Sequence, residues 1–140
     1  MQKVKATPGM AGTDFYQSVI IAIWTNNAKK PFQDPRVRRA LHLAIDRHAM
    51  VDVVKDMMPA MVGGFNYPFS VWYPPTEELA KRRGYQPNPQ ASIQEARQLL
   101  ADAGYGKGLK GVDFLVRDAP DLKLRAEAIQ VMLKEALHIE

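Results

Sequence analysis

The three histidines carry the side chains best suited to catalysis or metal binding in this chain. His42 and Asp46 lie one turn apart on a predicted helix, where they could form a pair or ligate a metal ion. A zinc or nickel site needs three or more converging ligands, and the helical spacing directs His48 away from His42. The sequence contains no cysteine, which excludes thiolate ligands and disulfides. We therefore expect a surface pair of His42 and Asp46, with no metal site and no cofactor.

The short motifs of the common enzyme classes are missing from the sequence. It contains no Gly-x-Ser-x-Gly, no His-Glu-x-x-His and no glycine-rich loop that could hold a phosphate. The paired carboxylates of Glu77 and Glu78 stand at the start of a predicted helix, where the helix dipole explains them. This pattern favours a binding or structural protein over an enzyme.

A long segment rich in proline and glycine, from Met57 to Gln90, contains six aromatic residues. A loop of this length in a compact domain is usually functional or packed on itself, and its rings could serve either purpose. They could bury one another, or they could line a cleft and offer a ligand both an apolar face and a polar group. The candidates for the second role are Tyr67, Trp72 and Tyr73.

Two short helices precede this loop, and their starts are marked in the sequence. Asp34 is a suitable N-cap and Pro35 suits the first helical position, while Asp46 is a second cap before Arg47. Apolar residues then recur at helical spacing, which predicts a buried face on each helix. The predicted inner residues are Val37, Ala40, Leu41, Ala44 and Ile45 on the first helix, and Met50, Val53, Val54 and Met57 on the second.

Three more helices are predicted from caps and apolar stripes. Thr76 is the expected cap of a short helix to Arg82. Ser92 and Glu95 form a capping box before a helix that ends at Gly104, where a left-handed residue belongs. Asp121 is the expected cap of a helix that reaches about Leu137.

Strands are predicted between these helices. Tyr16 to Thr25 contains a continuous apolar run that is typical of a strand covered on both faces. Val112, Phe114 and Val116 alternate as in a second strand, and His138 to Glu140 look like the start of a third. Strands alternating with helices indicate an α/β fold in which a mixed sheet is flanked by helices.

Two stretches of the sequence resemble the family 5 extracellular solute-binding proteins of ABC importers, the oligopeptide, dipeptide and nickel receptors. The first joins a strand end, a turn and a helix, and the second matches the family's Ala-x-x-Leu-Leu-x-x-Ala-Gly-Tyr helix end. The matching residues are Asn26-Asn27, Lys30-Pro31-Phe32, Asp34, Arg36 to Leu41 and Ala44 to Arg47, then Ala96 to Tyr105 and Gly108.

The resemblance implies one lobe of a two-lobed periplasmic binding protein of the class II, cluster C type. Residues 1–14 would then be a loose lead-in segment and residues 15–140 a partial C-terminal lobe, truncated at its C-terminal end. Family members capture a solute in the periplasm or outside the cell and deliver it to ABC permease subunits. The expected partners are therefore a peptide or related small solute and a permease, and contact with the membrane would come only through the permease.

The resemblance also implies a set of residues that face the ligand cleft. Peptide-binding members use positions that correspond to Trp24, Lys55 and Lys123. They tend to place an acidic residue where this chain has Trp24, and this departure speaks against a peptide. If both lysines face the cleft, they favour an anionic group. The alternative is that Trp24 belongs to the core and that both lysines are solvated.

Length and charge leave few other classes of protein. The chain has 140 residues, enough for one domain, with 19 basic and 15 acidic residues. The basic residues are spread along the chain and mixed with carboxylates, so we expect no binding of nucleic acid. No signal peptide opens the sequence, and no apolar run approaches the roughly 20 residues of a membrane helix. The competing function is a structural or interaction domain without a small ligand.

Overall fold

A computed structural model of the chain describes residues 8, 20–58, 60–64, 66 and 70–140. Within this part of the chain there are five α-helices. We label them α1 to α5 in chain order: Pro35–Ala44, Arg47–Val54, Thr76–Ala80, Gln90–Asp102 and Pro120–Leu137. None of these helices is both long and apolar enough to cross a bilayer. The predicted lead-in segment, except Pro8, lies outside the described residues.

The starts of α1 and α2 confirm the predicted caps. The Asp34 carboxylate accepts a hydrogen bond from the Arg36 amide at 2.8 Å, and Pro35 occupies the first turn of α1. The Asp46 carboxylate accepts from the amides of His48 and Ala49 at 2.9 and 3.0 Å. Each carboxylate satisfies amides that have no partner inside the helix, so the corner between α1 and α2 is set locally.

The inner faces of α1 and α2 agree with the prediction except at their ends. On α1 the buried residues include Leu43 in place of the predicted Ile45, which is only partly buried. The second helix ends at Val54, and Met57 is 49% exposed instead of lying on its inner side. Beyond Val54 the chain leaves the helix in a turn, so the helical spacing no longer applies to Met57.

Helix α4 begins three residues earlier than the predicted capping box requires. The Asn88 side chain accepts from the Gln90 amide at 3.0 Å, and the helix already runs from Gln90. Ser92 is therefore inside the helix, fully buried, and its hydroxyl accepts from the Gly84 amide at 3.0 Å. The capping box is wrong. The end of the helix is confirmed, because Gly104 follows it with a φ of +89°.

Two other predicted caps are wrong. Pro75 precedes α3 as its N-cap, and Thr76 is the first residue of the helix, which ends at Ala80. Ala119 precedes α5, and Asp121 lies inside its first turn, after Pro120. In both cases a proline at the helix start displaces the expected boundary by one or two residues. The carboxylates of Glu77, Glu78 and Asp121 still lie where the helix dipole favours them.

The predicted strands do not form as such in the described residues. Residues 20–25 have no regular structure, and residues 16–19 lie outside the described part. Residues 112–116 are also irregular. The only bridge in the described part of the chain is parallel, between Leu109 and Ile139, and it lies in the segment predicted as the start of a third strand. A strand needs a neighbour for its amides and carbonyls, and no described segment lies beside residues 20–25 or 113–116 to supply one.

The core lies where α1 packs on α4 and both contact α5. Two arginines of α1 bind residues of α4 at the exposed edge of this interface. Arg36 donates to the Asp102 carbonyl at 2.7 Å, and Arg39 pairs with Glu95 at 2.9 Å. The parallel pair at the C-terminus closes one end of the core. The buried apolar cluster consists of Val37, Ala40, Leu43, Ala44, Ala96, Leu100, Leu109, Ala136, Leu137 and Ile139.

Candidate functional site

The two predicted lysines lie on helices that pack against each other. Lys55 follows the last residue of α2, and Lys123 lies near the start of α5. Both are exposed, and each forms an ion pair with a local carboxylate, at 3.4 Å to Asp52 and at 2.7 Å to Asp118. Exposed ion pairs contribute little to stability. Both ammonium groups could therefore exchange these carboxylates for another anion at small cost.

The predicted aromatic residues are placed differently from one another. Trp24 is 86% exposed, so it is not part of the core formed by the described residues. Trp72 is 77% exposed, and its backbone is held by Ser70 and Asn66. Tyr73 is partly buried, and its hydroxyl donates to the Val62 carbonyl at 3.0 Å, so its polar group already has a partner. Tyr67 lies outside the described residues.

Arg47 forms a junction between the α1–α2 corner and the loop before α4. Its guanidinium donates to the carbonyls of His42, Ile45 and Gly84, and its Cζ lies 4.4 Å from the centre of the Tyr85 ring. A planar cation that donates along its edge and stacks on an aromatic face uses both properties of arginine. This junction was not predicted, although Arg47 and Tyr85 are each visible in the sequence.

His42 belongs to the same junction and does not pair with Asp46 as predicted. Its Nδ1 lies 3.0 Å from the Arg47 Nη2, and its ring meets the Tyr85 ring edge-on. Asp46 is committed to the amides of α2 instead. Because arginine can only donate, Nδ1 must be the acceptor and the imidazole must be neutral in this contact.

The charges of the junction shift the pKa of His42. Burial lowers the pKa of the imidazole below its ordinary value, and the cations of Arg47 and Arg39 lower that pKa further. The nearby backbone of Arg83 acts in the opposite direction and raises this pKa. Burial also lowers the pKa of Arg47, a group that nonetheless stays charged. The junction is therefore a structural one that prefers neutral His42.

Arg125 is a side chain near the end of α2 that the sequence analysis did not single out. It is partly buried on α5, and its Nη2 lies 3.5 Å from the thioether sulfur of Met58, three residues after Lys55. The sequence does contain a signal for it. Leu122, Arg125, Ala126 and Ile129 share the helical spacing of the inner face, so Arg125 is a cation on an otherwise apolar stripe.

The described residues offer no other site of obvious chemistry. None of their histidines and carboxylates form a group of three or more that could hold a metal ion. Two open grooves occur, one between the turn before α1 and the end of α4, the other between α3 and the start of α4. Neither is lined by a predicted site residue. The ends of α2 and α5 remain the best candidate site.

Comparison with protein families decides the relationship. Residues 1–139 match the model of the bacterial extracellular solute-binding proteins, family 5 Middle. The chain belongs to this family. The residues that carried the resemblance thus have structural roles in this family member. Asp34 caps a helix, Arg47 forms the junction, and Phe32 packs against the core.

Individual relatives agree with the family match. The chain is 37% identical over 83 residues to the glutathione-binding protein GsiB of Shigella flexneri serotype 5b, and the alignment covers 59% of this chain and 15% of that protein. It is 38% identical over 82 residues to the periplasmic oligopeptide-binding protein OppA of Salmonella typhimurium, covering 57% of this chain and 14% of the relative. GsiB of Escherichia coli K12 is 37% identical over 83 residues, covering 59% and 14%. The aligned part is thus about one seventh of each relative.

Proposed function

We propose that this chain is part of the substrate-capture component of an ABC importer for peptides or a related small solute. The observation that carries the proposal is the family match, which extends over residues 1–139. The names of two relatives add the solute class, since one binds glutathione and the other binds oligopeptides. Glutathione is itself a small peptide with two carboxylates. A peptide-like solute is therefore the class to test first, and no catalytic step is part of the function.

In the complete protein, residues 15–140 would contribute to one lobe of a two-lobed binding protein, after a lead-in of residues 1–14. We infer that the apolar segments at residues 20–24 and 114–116 enter a mixed sheet there. Their large side chains support this, because Trp24 and Leu115 are 86% and 91% exposed. Such exposure is unusual for apolar residues unless another surface covers them.

The proposed contacts to the solute come from two places in the chain. Lys55 and Lys123 would bind anionic groups, because they are exposed, lie on packed helices and hold only weak ion pairs. Trp24, Trp72 and Tyr73, together with Tyr67, would supply apolar contacts to side chains or to the peptide backbone. An acidic residue at position 24 would attract a cationic group, whereas Trp24 favours an apolar or aromatic one.

The remaining parts of the function follow from membership of the family. The full-length protein would act in the periplasm or outside the cell, close its two lobes on the solute, and present the closed form to permease subunits. The relative OppA is named as a periplasmic protein. The proposed function does not involve binding of nucleic acid.

The test is mass spectrometry of small molecules released by denaturing the full-length product of the gene. We expect co-purified peptides or glutathione, and we expect the same molecules to bind again when added back in calorimetry. A preparation that releases nothing, and whose melting temperature does not change with glutathione or a tripeptide library, would favour an interaction domain without a small ligand.

Variants of the two lysines test the candidate site. Lys55→Gln and Lys123→Gln should each weaken binding of an anionic solute by about fivefold, which corresponds to an exposed charge pair of about 1 kcal/mol. Lys81→Gln is a matched control, because Lys81 is also exposed and pairs with a carboxylate three residues away, Glu78. Equal affinities for all three variants would remove both lysines from the site.

A further inference from the structure

Arg125 has two donors on one edge of its guanidinium that lack an oxygen acceptor. Its Nε is buried and has no hydrogen-bond partner among the described residues. Among the residues that the structure describes, the Nη2 on the same edge reaches only the Met58 thioether, at 3.5 Å. A thioether is a weak acceptor, so the charged edge is left almost unsatisfied.

Other arginines in the described part of the chain end on oxygen. The Arg36 Nε and Nη2 both reach the Asp34 carboxylate, and the Arg97 Nε donates to the Ala136 carbonyl at 2.7 Å. A partly buried guanidinium without such a partner is costly, because arginine stays charged and its desolvation is not repaid. The fold therefore keeps at Arg125 a binding capacity that its own residues do not use.

The free edge has the shape of a carboxylate site. Nε–H and Nη2–H point in parallel from the planar guanidinium, and a carboxylate can accept both bonds at once. The group that stands in their path is a methionine side chain, which is flexible and changes rotamer readily. A carboxylate could replace the Met58 sulfur without any movement of the helix backbone.

The position of Arg125 connects it to one part of the candidate site. Met58 is three residues beyond Lys55, and Arg125 lies on the helix that packs against α2. Lys123 is two positions before Arg125 on α5, so the two side chains leave the helix on opposite sides, Lys123 toward solvent and Arg125 toward Met58. An anion attracted to the end of α2 by Lys55 would reach Arg125 by displacing the Met58 side chain.

We propose that Arg125 binds a carboxylate of the solute through Nε and Nη2, in place of its contact with the Met58 sulfur. The inference rests on the proposed function and names the chemical group that this part of the site recognises. It assigns the acid-specific contact to Arg125 and leaves to Lys55 a less directional attraction.

The experiment is a competition on the full-length product of the gene. The probe is a random tripeptide library without Asp or Glu, offered as a mixture of free acids and isotope-labelled C-terminal amides, so that the terminal carboxylate is the only difference. Retained peptides are identified by mass spectrometry, and the ratio of acid to amide is measured. We expect wild type to retain at least tenfold more acid, and Arg125→Gln to bring the ratio close to one.

Further variants separate recognition from folding. Arg125→Met keeps the length and apolar contacts of the side chain and should also lose the preference for acid, while Arg117→Gln, at an exposed arginine before α5, should keep it. Melting temperatures of all variants establish that they are folded. A folded variant at Arg125 that keeps the wild-type ratio, or loses acid and amide equally, overturns this inference alone. Wild-type protein that retains neither form overturns the proposed function and this inference with it.

Discussion

The imidazole of His42 is held in its neutral form by the groups that face it. Burial of the ring is the largest cause of its lowered pKa, the Arg47 guanidinium donates toward Nδ1, and Arg39 adds positive charge from the same helix. The Tyr85 ring covers one side. A proton on Nδ1 would therefore meet the donor of Arg47 at 3.0 Å instead of an acceptor. Burial and this contact together make the junction sensitive to pH.

We expect the free energy of unfolding to fall as the pH drops below about 6.5, the ordinary pKa of histidine. Because the pKa of His42 is lowered in the folded chain, the unfolded chain binds more protons in the interval between the two pKa values. Stability is complete above this interval and falls through it by at most about 1.4 kcal/mol per pH unit. Urea unfolding between pH 5.5 and 7.5 measures the slope.

The matched variant is His42→Gln, whose amide oxygen can still accept from Arg47 and does not titrate. Its slope between pH 5.5 and 7.5 should be smaller than that of wild type. If the two slopes are the same, His42 is not the group responsible. Asp46→Asn, which preserves a capping side chain, tests whether the neighbouring carboxylate contributes to the slope.

At the scale of elements, the loop between α3 and α4 is held against the α1–α2 corner through Gly84. Its φ is +83°, its amide donates to the buried Ser92 hydroxyl, and its carbonyl accepts from Arg47. A Cβ at this position would lie 3.2 Å from the Arg47 Nη1 and 3.2 Å from the His42 Nε2. Both the backbone conformation and the close approach of two side chains require glycine here.

Gly84→Ala should therefore destabilise the chain more than Gly104→Ala. Both positions have a positive φ, which costs about 1–2 kcal/mol for alanine, but a Cβ at Gly104 would have no atom within 4 Å. The additional loss of unfolding free energy at Gly84, relative to Gly104, measures the steric cost of a Cβ at the junction. Gly63→Ala, where φ is not positive and the space is open, is the control for the substitution itself. Equal losses in chemical denaturation at Gly84 and Gly104 would contradict the crowding.

The elements also show how far the sequence could predict this fold. Asp34 and Asp46 cap their helices through bonds to the next two or three residues, so local pattern was sufficient there. Ser92 fits the same capping pattern, but its hydroxyl accepts a hydrogen bond from the Gly84 amide instead. The position of Gly84 depends on the path of the loop, which the local pattern does not contain. Helical spacing likewise predicts a pair between His42 and Asp46. In the structure the partners of His42 are Arg47 and Tyr85, and Tyr85 is distant in the sequence. Arg125 needed the packing of α5 on α2 to be recognised.

At the scale of the whole molecule, formation of a strand depends on pairing between segments that are distant in the sequence. Sequence periodicity does not show which segments pair. Leu109 pairs in parallel with Ile139, and the Val112 amide donates to the Glu140 carbonyl at 3.1 Å. Helices satisfy their backbone groups internally, which is why the helical part was predictable. The apolar run at residues 114–116 instead follows this pair along the chain and forms no ladder with a described segment.

We therefore expect the amides of residues 113–116 to be protected from hydrogen exchange in the full-length product and to exchange rapidly in the 140-residue chain alone. In a parallel ladder both strands run the same way, so a strand that continued beyond Glu140, as proposed for the complete protein, would next reach residues 113–116. Peptide-level exchange measured by mass spectrometry tests this, with the helix α4 as a protected reference in both samples and the exposed turn at residues 106–107 as an unprotected one. Rapid exchange at 113–116 in both samples would contradict a sheet at this position, because ladder hydrogen bonds slow exchange wherever they form.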